Sequence, residues 1–583
     1  MVRLHIFWVA LALAGCSSVP PDAKPDSASS PGTGNGERYD LLIRNGVVYD
    51  GSGAAPQRVD VAVRSDRVVA LLPAGTQAFG AHTVDAHGHA VAPGFINVLS
   101  WATESLIADG RGMSDTKQGV TLEIFGEGWS MGPLNARMKA DALKQQGDIR
   151  YPIEWTTLGD YLEHLEKRGI TPNVASFVGA TTVRIHELGE DDVKPDAQQL
   201  ERMQNLVRQS MAEGALGVGG SLIYPPAAFA DSQELTALAQ AAAESGGGYI
   251  AHMRSEADRF LEAIDETVAI GRATGQRAEA YHLKAAGEKN WPKMAQAIAK
   301  IEAARTQGVL VSADMYVYTA GGTGLTANLP PWVQAGGNDA MIARLKDPAI
   351  RKRVIAEMKD PNVKWENLRL LAGSDDRVLL IEFKSEKLKP LIGKTLAQVA
   401  KARGTSPEET VLDLIVEDEG RVGAAYFLMS EDNIELGLKQ PWVSLGSDAE
   451  SSAPEGVFLK SSTHPRAYGN FARFLGHYVR DRKLMTLQEG IHRLTGLPAA
   501  NWKLRDRGCL APGCFADLVL FDPASIADHS TYDAPQQYAT GVSDVFVNGV
   551  QVLRNGEHTG VMPGRVVRGP GWRGGTSGTA PQK

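Results

Sequence analysis

Between residues 94 and 448 the chain returns eight times to a short apolar stretch: "GFINVLS", "GVTLEIFGEG", "NVASFVG", "ALGVGGS", "GYIAHMR", "AEAYHLK", "VLVSADMY" and "PWVSLGSD". Amphipathic helical segments separate most of them. Strands apolar on both faces and divided by helices belong to parallel sheets covered by those helices. Eight such units are the number that closes a barrel. The fold class read from this pattern is α/β, a (β/α)8 TIM-like barrel over residues 93–500. Between the seventh and eighth strands lies an oversized connection, about 320–440, with helices of its own. One is announced by "TSPEETVLDLIVED", where Ser406 can cap, Pro407 fits the first turn and Glu409 can complete a capping box. Active sites of such barrels sit at the C-terminal ends of the strands, so a long insertion there is a candidate lid.

Both ends of the chain read differently. Residues 39–92 form short alternating strands, "DLLIRNGVVYDG", "RVDVAVRSDRVVALL" and "HTVDAHGHAVAPG", with Asn-Gly and Asp-Gly at the turns. Residues 501–560, containing "FADLVLFDP" and "VSDVFVNGVQVLRNGE", have the same character. Joining the two gives one small β-sandwich beside the barrel. Residues 561–583, ending in "GPGWRGGTSGTAPQK", are expected to be disordered.

The first 16 residues hold one arginine, Arg3, and an apolar run from Leu4 to Ala14, shorter than the roughly 20 residues a membrane span needs. They read as a secretory signal. The run closes on Leu13-Ala14-Gly15-Cys16, which resembles the bacterial lipobox. That resemblance implies lipidation of Cys16, a membrane contact through the lipid anchor only, and a periplasmic location. Ser17 at the next position is similar to the pattern of outer-membrane lipoproteins. Residues 17–38, rich in Pro, Ser and Gly, are expected to be a flexible linker. Cys509 and Cys514 remain, and an oxidising compartment permits a disulfide between them, while Pro512-Gly513 equally suits a plain turn with two small apolar side chains. With a net charge of −8 and no basic cluster, neither nucleic acid nor an anionic surface is favoured as a partner, and no nucleic acid is expected. A small-molecule or peptide substrate fits better.

Residues at the C-terminal ends of barrel strands point into the site. They are Glu127 after the second strand, His252 in the fifth, His282 in the sixth and Asp448 after the eighth. Two imidazoles on adjacent strands, with a carboxylate, can give a divalent metal two nitrogens and one oxygen while leaving room for water. Lys284, two residues beyond His282, should set a positive charge beside them. Tyr224 and Tyr316 follow the fourth and seventh strands, where a phenol could reach a ligand; Arg254 and Arg466 are open between structural and ligand-binding roles.

The segments "VAPGFIN", "YIAHMRSE", "AYHLKAAG", "SLGSD", "HPRAYGNFARFLGHYVRD" and "GCFADLVLFDP" resemble, in order, the D-aminoacylase branch of the amidohydrolase superfamily, also described as N-acyl-D-amino-acid deacylases. The resemblance spans about 39–560 and implies that His252 and His282 bind zinc, with Asp448 as the general base that activates water and returns its proton to the leaving amine. It implies that Lys284 and Tyr224, with Tyr316 as a further candidate, hold the α-carboxylate of an N-acyl-D-amino acid. Two departures stand out. The family's first-strand His-x-His pair is replaced by Leu99-Ser100-Trp101, and neither Leu nor Trp offers a cation a lone pair, so one metal is expected rather than two. His87-Gly88-His89 precedes the barrel and is assigned to the sandwich. The family's zinc-binding cysteine is replaced within "GEGWSMGP", and aligning the glycines puts Glu127 there, with Glu123 as the competing ligand. A carboxylate accepts zinc and also admits manganese. The expected function is metal-dependent hydrolysis of N-acyl-D-amino acids or related acylated peptides. Dipeptides, cyclic amides or esters are the alternative substrates, and a catalytically inactive, lipid-anchored binding protein is the non-enzymatic alternative.

Overall fold

Every one of the eight apolar windows contains a strand in the computed structural model, which describes residues 37–574. The signal segment, Cys16 and most of the linker at 17–38 lie outside the described residues, as do residues 575–583. The strands are β1 (Phe95–Asn97), β2 (Val120–Phe125), β3 (Asn173–Ser176, continued by Val178–Gly179), β4 (Gly217–Ser221), β5 (Gly248–His252), β6 (Ala278–Ala280), β7 (Val311–Met315) and β8 (Val443–Leu445). All neighbours pair in parallel in the order β1-β2-β3 and β3-β4-β5-β6-β7-β8, the two runs meeting where β3 is interrupted at Phe177. Beyond the last strand, Asp448 N donates to Leu99 O at 2.8 Å and Trp101 N to Ala449 O at 2.9 Å, so the chain after β8 lies against the chain after β1. Every residue of β2, β4, β5 and β7 is buried, as strands covered on both faces require. Helices such as Ser232–Ala243, Phe260–Thr274 and Lys293–Thr306 follow β4, β5 and β6 and supply that cover.

The connection between β7 and β8 forms a three-stranded antiparallel sheet, with Gly423–Phe427 between Ala320–Gly324 and Val378–Glu382. Its helix Pro407–Glu417 starts as the sequence implies: Ser406 accepts from Glu409 N, the Glu409 carboxylate accepts from Ser406 N, and Pro407 occupies the first turn. The insertion is tied to the barrel at Glu366, whose Oε1 accepts from Ser255 Oγ (2.6 Å), Glu256 N (2.6 Å) and Ala257 N (2.8 Å) just beyond β5.

The chain ends supply two further sheets. One consists of Glu37–Arg44, Val59–Arg64, Arg67–Pro73 and Ala78–Asp85. The other mixes both ends, with Ala90–Pro93 antiparallel to Leu518–Phe521, which pairs in turn with Val542–Val547. Leu41, Ile43 and Val61 of the first sheet pack with Val91, Leu518 and Phe546 of the second. Asn548-Gly549, both at positive φ (50° and 80°), make the tight turn between Val547 and Val550. Cys509 and Cys514 are joined in a disulfide, because the turn through Gly513 (φ 99°) brings their Cα atoms to 6.1 Å. Of the two sequence readings of this pair, the structure takes the bridge.

The expectation of disorder beyond 561 does not hold for residues 561–574. Val567 N donates to Val174 O (2.8 Å) and Gly569 N to Gly214 O (2.8 Å), so this stretch lays its backbone along the barrel. Val567 is buried beside Ile96, Val98 and Trp502, and Arg565 pairs with Asp66, so a few side chains and these backbone bonds together hold the stretch in place.

Candidate functional site

Glu127 leaves β2 on a turn whose flanking glycines are both at positive φ, Gly126 at 109° and Gly128 at 71°. A Cβ on Gly128 would stand 2.3 Å from Ser221 Cβ, so glycine is required for the turn to approach β4 and aim the carboxylate inward. His252 ends β5, and His282 follows β6 at φ 35°, held by Asp314 Oδ1, which accepts from its backbone N at 3.0 Å. Glu127 Oε1 lies 3.1 Å from His252 Nδ1 and 3.0 Å from His282 Nε2. One ligand atom from each of these three buried residues falls within 4.8 Å of the others. Burial opposes ionisation of Glu127, but His282 and His252 outweigh it and hold the carboxyl well below the usual range. Two nitrogens and an anionic oxygen converging in a buried space fit a zinc-like divalent ion. Glu123 does not join them: it lies deeper in the barrel, fully buried, where it accepts from Ser100 Oγ. His87 is exposed at a turn of the terminal sheet, as its position before Pro93-Gly94 implies.

Asp448 faces this cluster at φ 51°, a conformation that Asp and Asn tolerate better than other side chains. Its Oδ1 accepts from Trp101 Nε1 at 3.1 Å, and its Oδ2 lies 3.0 Å from Arg466 Nη1. Burial raises the Asp448 carboxyl above its ordinary value; Arg466 opposes the rise and Glu127 adds to it. Trp101 Nε1 also donates to Glu127 Oε2 at 3.0 Å.

Lys284 sits where the strand spacing places it, but its ammonium is engaged. Nζ donates to Glu256 Oε1 at 2.7 Å and lies 2.7 Å from His282 Nδ1. Burial works against the Lys284 charge and Glu256 overrides it, while Glu256 in turn, despite its own burial, is brought down to about 2 by Lys284, His252 and His282. Lys284 and Glu256 therefore buttress the ring of His282. Tyr224 packs edge-on against His252, with ring centroids 5.2 Å apart. The Tyr316 ring lies under the Arg466 guanidinium at 4.4 Å, and its hydroxyl is directed at Met429 Sδ (3.4 Å), so it offers the site a ring face rather than a phenol. Arg254 is structural, forked onto Glu266 at 3.0 Å.

Arg466, 4% exposed, was left open by the sequence; its Nε has no hydrogen-bond partner among the described residues. A buried guanidinium with donors to spare beside a cavity has the charge and the free donors to bind an anion. The cavity holding the cluster has a volume of about 490 Å³. A second chamber of about 740 Å³ shares Trp101, Trp129, Thr323, Asp448 and Arg466 with it and is walled by Met131, Tyr151 and Trp155, with Arg421 and Gly423 of the insertion opposite. Glu256 carried one signal in the sequence, its i+4 spacing from His252, while nothing short of the fold shows that Arg466 is buried.

Residues 82–553 match the family model described as "Amidohydrolase family". D-aminoacylase of Alcaligenes xylosoxydans xylosoxydans is 32% identical over 534 residues, 91% of this chain and 97% of the relative. The crystal structure of N-acyl-D-glutamate deacylase from Bordetella bronchiseptica, complexed with zinc and a phosphonate mimic of the tetrahedral intermediate, superposes with a TM-score of 0.74 at 30% identity, covering 91% of this chain and 100% of the other. A D-aminoacylase structure described in terms of a binuclear metal centre with "one-metal activation and second-metal attenuation" gives 0.75 at 31% identity, with the same coverage. The chain belongs to the amidohydrolase family, in the branch that contains the D-aminoacylases.

Proposed function

We propose that this protein is a metal-dependent hydrolase of N-acyl-D-amino acids. The observation that carries the reading is the buried convergence of Glu127, His252 and His282 with Asp448 facing it. One divalent ion, zinc in the first place and manganese in the second, would be held by those three residues and would supply Lewis acidity for water and for the amide carbonyl. Asp448 takes the proton of the attacking water and returns it to the amine nitrogen as the C–N bond breaks. Its raised carboxyl suits a base that must release that proton again. Arg466, through its free Nε, receives the substrate carboxylate, with Tyr224 lining the same cavity and Lys284 adding what charge Glu256 leaves it. The D configuration rests on the relatives' names, which are those of D-aminoacylase and N-acyl-D-glutamate deacylase. The 740 Å³ chamber favours acylated peptides or bulky acyl groups as a second reading, since an acetyl group would fill little of it.

The scaffold implied is a single (β/α)8 barrel closed between β8 and β1 and flanked by a β-sandwich, supported by the hydrogen bonds between 448–449 and 99–101 and by the shared core of the terminal sheets. Export and lipid anchoring at Cys16, with a periplasmic location, are proposed on the Leu13–Cys16 pattern; the Cys509–Cys514 bridge accords with an oxidising compartment. The test of function is a panel of N-acetyl-D- and N-acetyl-L-amino acids offered to zinc-loaded protein. Cleavage of D substrates supports the reading; cleavage of L substrates alone overturns its stereochemical part, and no cleavage of either overturns it whole.

A further inference from the structure

Trp101 stands where the resemblance to the family implies a histidine, and its indole does more than fill space. Its N–H is shared between two carboxylates, Glu127 Oε2 at 3.0 Å and Asp448 Oδ1 at 3.1 Å. The oxygens of each carboxylate thus divide their work. Glu127 turns Oε1 to the two imidazoles and Oε2 to the indole, while Asp448 turns Oδ2 to Arg466 and Oδ1 to the indole. Without a donor between them, Oε2 and Oδ1 would face each other as bare anionic oxygens, an arrangement that repels.

We propose that the indole N–H of Trp101 stands in for a second cation, bridging the metal-binding carboxylate to the carboxylate base and confining this chain to a one-metal centre. The inference rests on the metal reading above. An ion shared by Oε2 and Oδ1 would need to come within about 2.0–2.2 Å of each oxygen. The N–H points at both oxygens from within hydrogen-bond distance and so fills that space, and an indole nitrogen donates but has no lone pair to offer a metal. The other position of the departed pair is closed as well, since Leu99 is fully buried in the barrel core, 2.7 Å from where a Cβ on Gly446 would stand.

The bridge is built into the backbone. Trp101 N donates to Ala449 O, Asp448 N donates to Leu99 O, and Ser100 pairs with Ala449 in parallel register, so the indole and the base are carried on two strands of chain bonded to each other. Trp101 is thereby a positioning residue: it holds Asp448 at a set distance from Glu127, the task a bridging ion would otherwise perform. A hydrogen bond does so without the affinity limits of a metal site, and the position does not respond to metal supply.

The test counts ions. Wild type, Trp101→Phe and Trp101→His are equilibrated with tenfold excess zinc, desalted, and analysed for zinc per chain by inductively coupled plasma mass spectrometry, with thermal melts to establish folding. The proposal requires one zinc per wild-type chain and a wild-type rate that stays level as zinc is added beyond one equivalent. Trp101→Phe, which keeps the ring and loses the donor, should lower kcat by roughly fivefold to tenfold with KM little changed. Trp101→His, which restores a ligand, should raise the ratio toward two and make the rate fall as zinc is added. Two zinc ions on the wild-type chain would overturn the proposal, as would a Trp101→Phe enzyme with unaltered kcat beside a Trp101→His chain still holding one. One ion on a protein that cleaves no amide would defeat the proposed function and leave this inference standing, whereas a wild type that binds no zinc defeats both. Because the wild-type count is read first, the proposal stays exposed even if a variant fails to fold.

Discussion

Replacing Asp448 by asparagine separates the role of base from the roles of ligand and support. The side chain keeps its size, and asparagine shares the tolerance of aspartate for the left-handed φ of 51° at this position, so the backbone is not strained further. A carbonyl oxygen remains to accept from Trp101 Nε1, as Asp448 Oδ1 does now, while the negative charge 3.0 Å from Arg466 Nη1 is lost. The amide nitrogen then faces Arg466 Nη1. Leaving the buried Arg466 guanidinium without its carboxylate partner costs about 1–3 kcal/mol, which lowers the melting temperature without unfolding the protein. Catalysis loses much more, because the amide cannot accept the proton of the attacking water. Loss of a general base costs typically 10²–10⁴ in rate, or about 3–5 kcal/mol of barrier at 1.36 kcal/mol per tenfold. Initial rates on N-acetyl-D-amino acids should therefore show kcat for Asp448→Asn reduced at least 100-fold, with KM within a few-fold and zinc content equal to wild type. The pH profile supplies a second check. A base must be deprotonated to act, and burial raises the Asp448 carboxyl, so wild-type kcat/KM should fall as pH is lowered through a value above the ordinary aspartate range. A variant that retains zinc and works within tenfold of wild type would refute the assignment of the base.

Three other outcomes follow from the same geometry. Glu127→Ala removes one of three converging ligands, and since loss even of residues that only support ligands costs 10–100-fold in metal affinity, zinc affinity should fall by more than about 100-fold; full retention of zinc after desalting would show that the ligand set is wrong. Arg466→Met should reduce kcat/KM for N-acetyl-D-amino acids by about 10- to 100-fold, the worth of a hydrogen bond to a charged group, and cost less on the matching amino-acid amides, which lack the carboxylate; equal losses on both would remove Arg466 from substrate binding. Glu366 is raised from 4.5 to about 7, by burial first and by Glu256 second. A carboxyl that holds its proton more tightly in the folded chain stabilises it fully below pH 4.5 and loses that contribution as pH rises through 7, at most about 3 kcal/mol. Thermal midpoints should decline over that range, and Glu366→Gln should flatten the decline; an unchanged slope in the variant would show that other groups set it.

The parts of this molecule that were legible in the sequence are those in which one residue type answers one local demand. Apolar runs must be buried on both sides, and all eight windows contain the parallel strands. Ser406, Pro407 and Glu409 can satisfy a helix start only at that start, and they do. His252, His282 and Glu127 were found because strand ends in such a sheet share one rim, so position along the chain translates into position in space. What escaped depends on partners remote in sequence. The partner of Lys284 is not legible, because Glu256, which pairs with it, lies on the loop after a different strand, and distance across strands has no local signature. Arg466 could not be separated from surface arginines until its burial was known. The chain beyond 561 is expected to be disordered, although Val567 and the backbone bonds to Val174 and Gly214 fix residues 561–574 against strands remote in sequence. Trp101 is the instructive case. Asking which residue can ligate a cation correctly rejects it, and the same question conceals that a donor placed between two carboxylates meets the electrostatic requirement the cation would have met. On the proposal made above, a missing ligand pair is weak evidence of missing function wherever two carboxylates converge, because they still require a positive partner, and whatever supplies it takes on the task of holding the base.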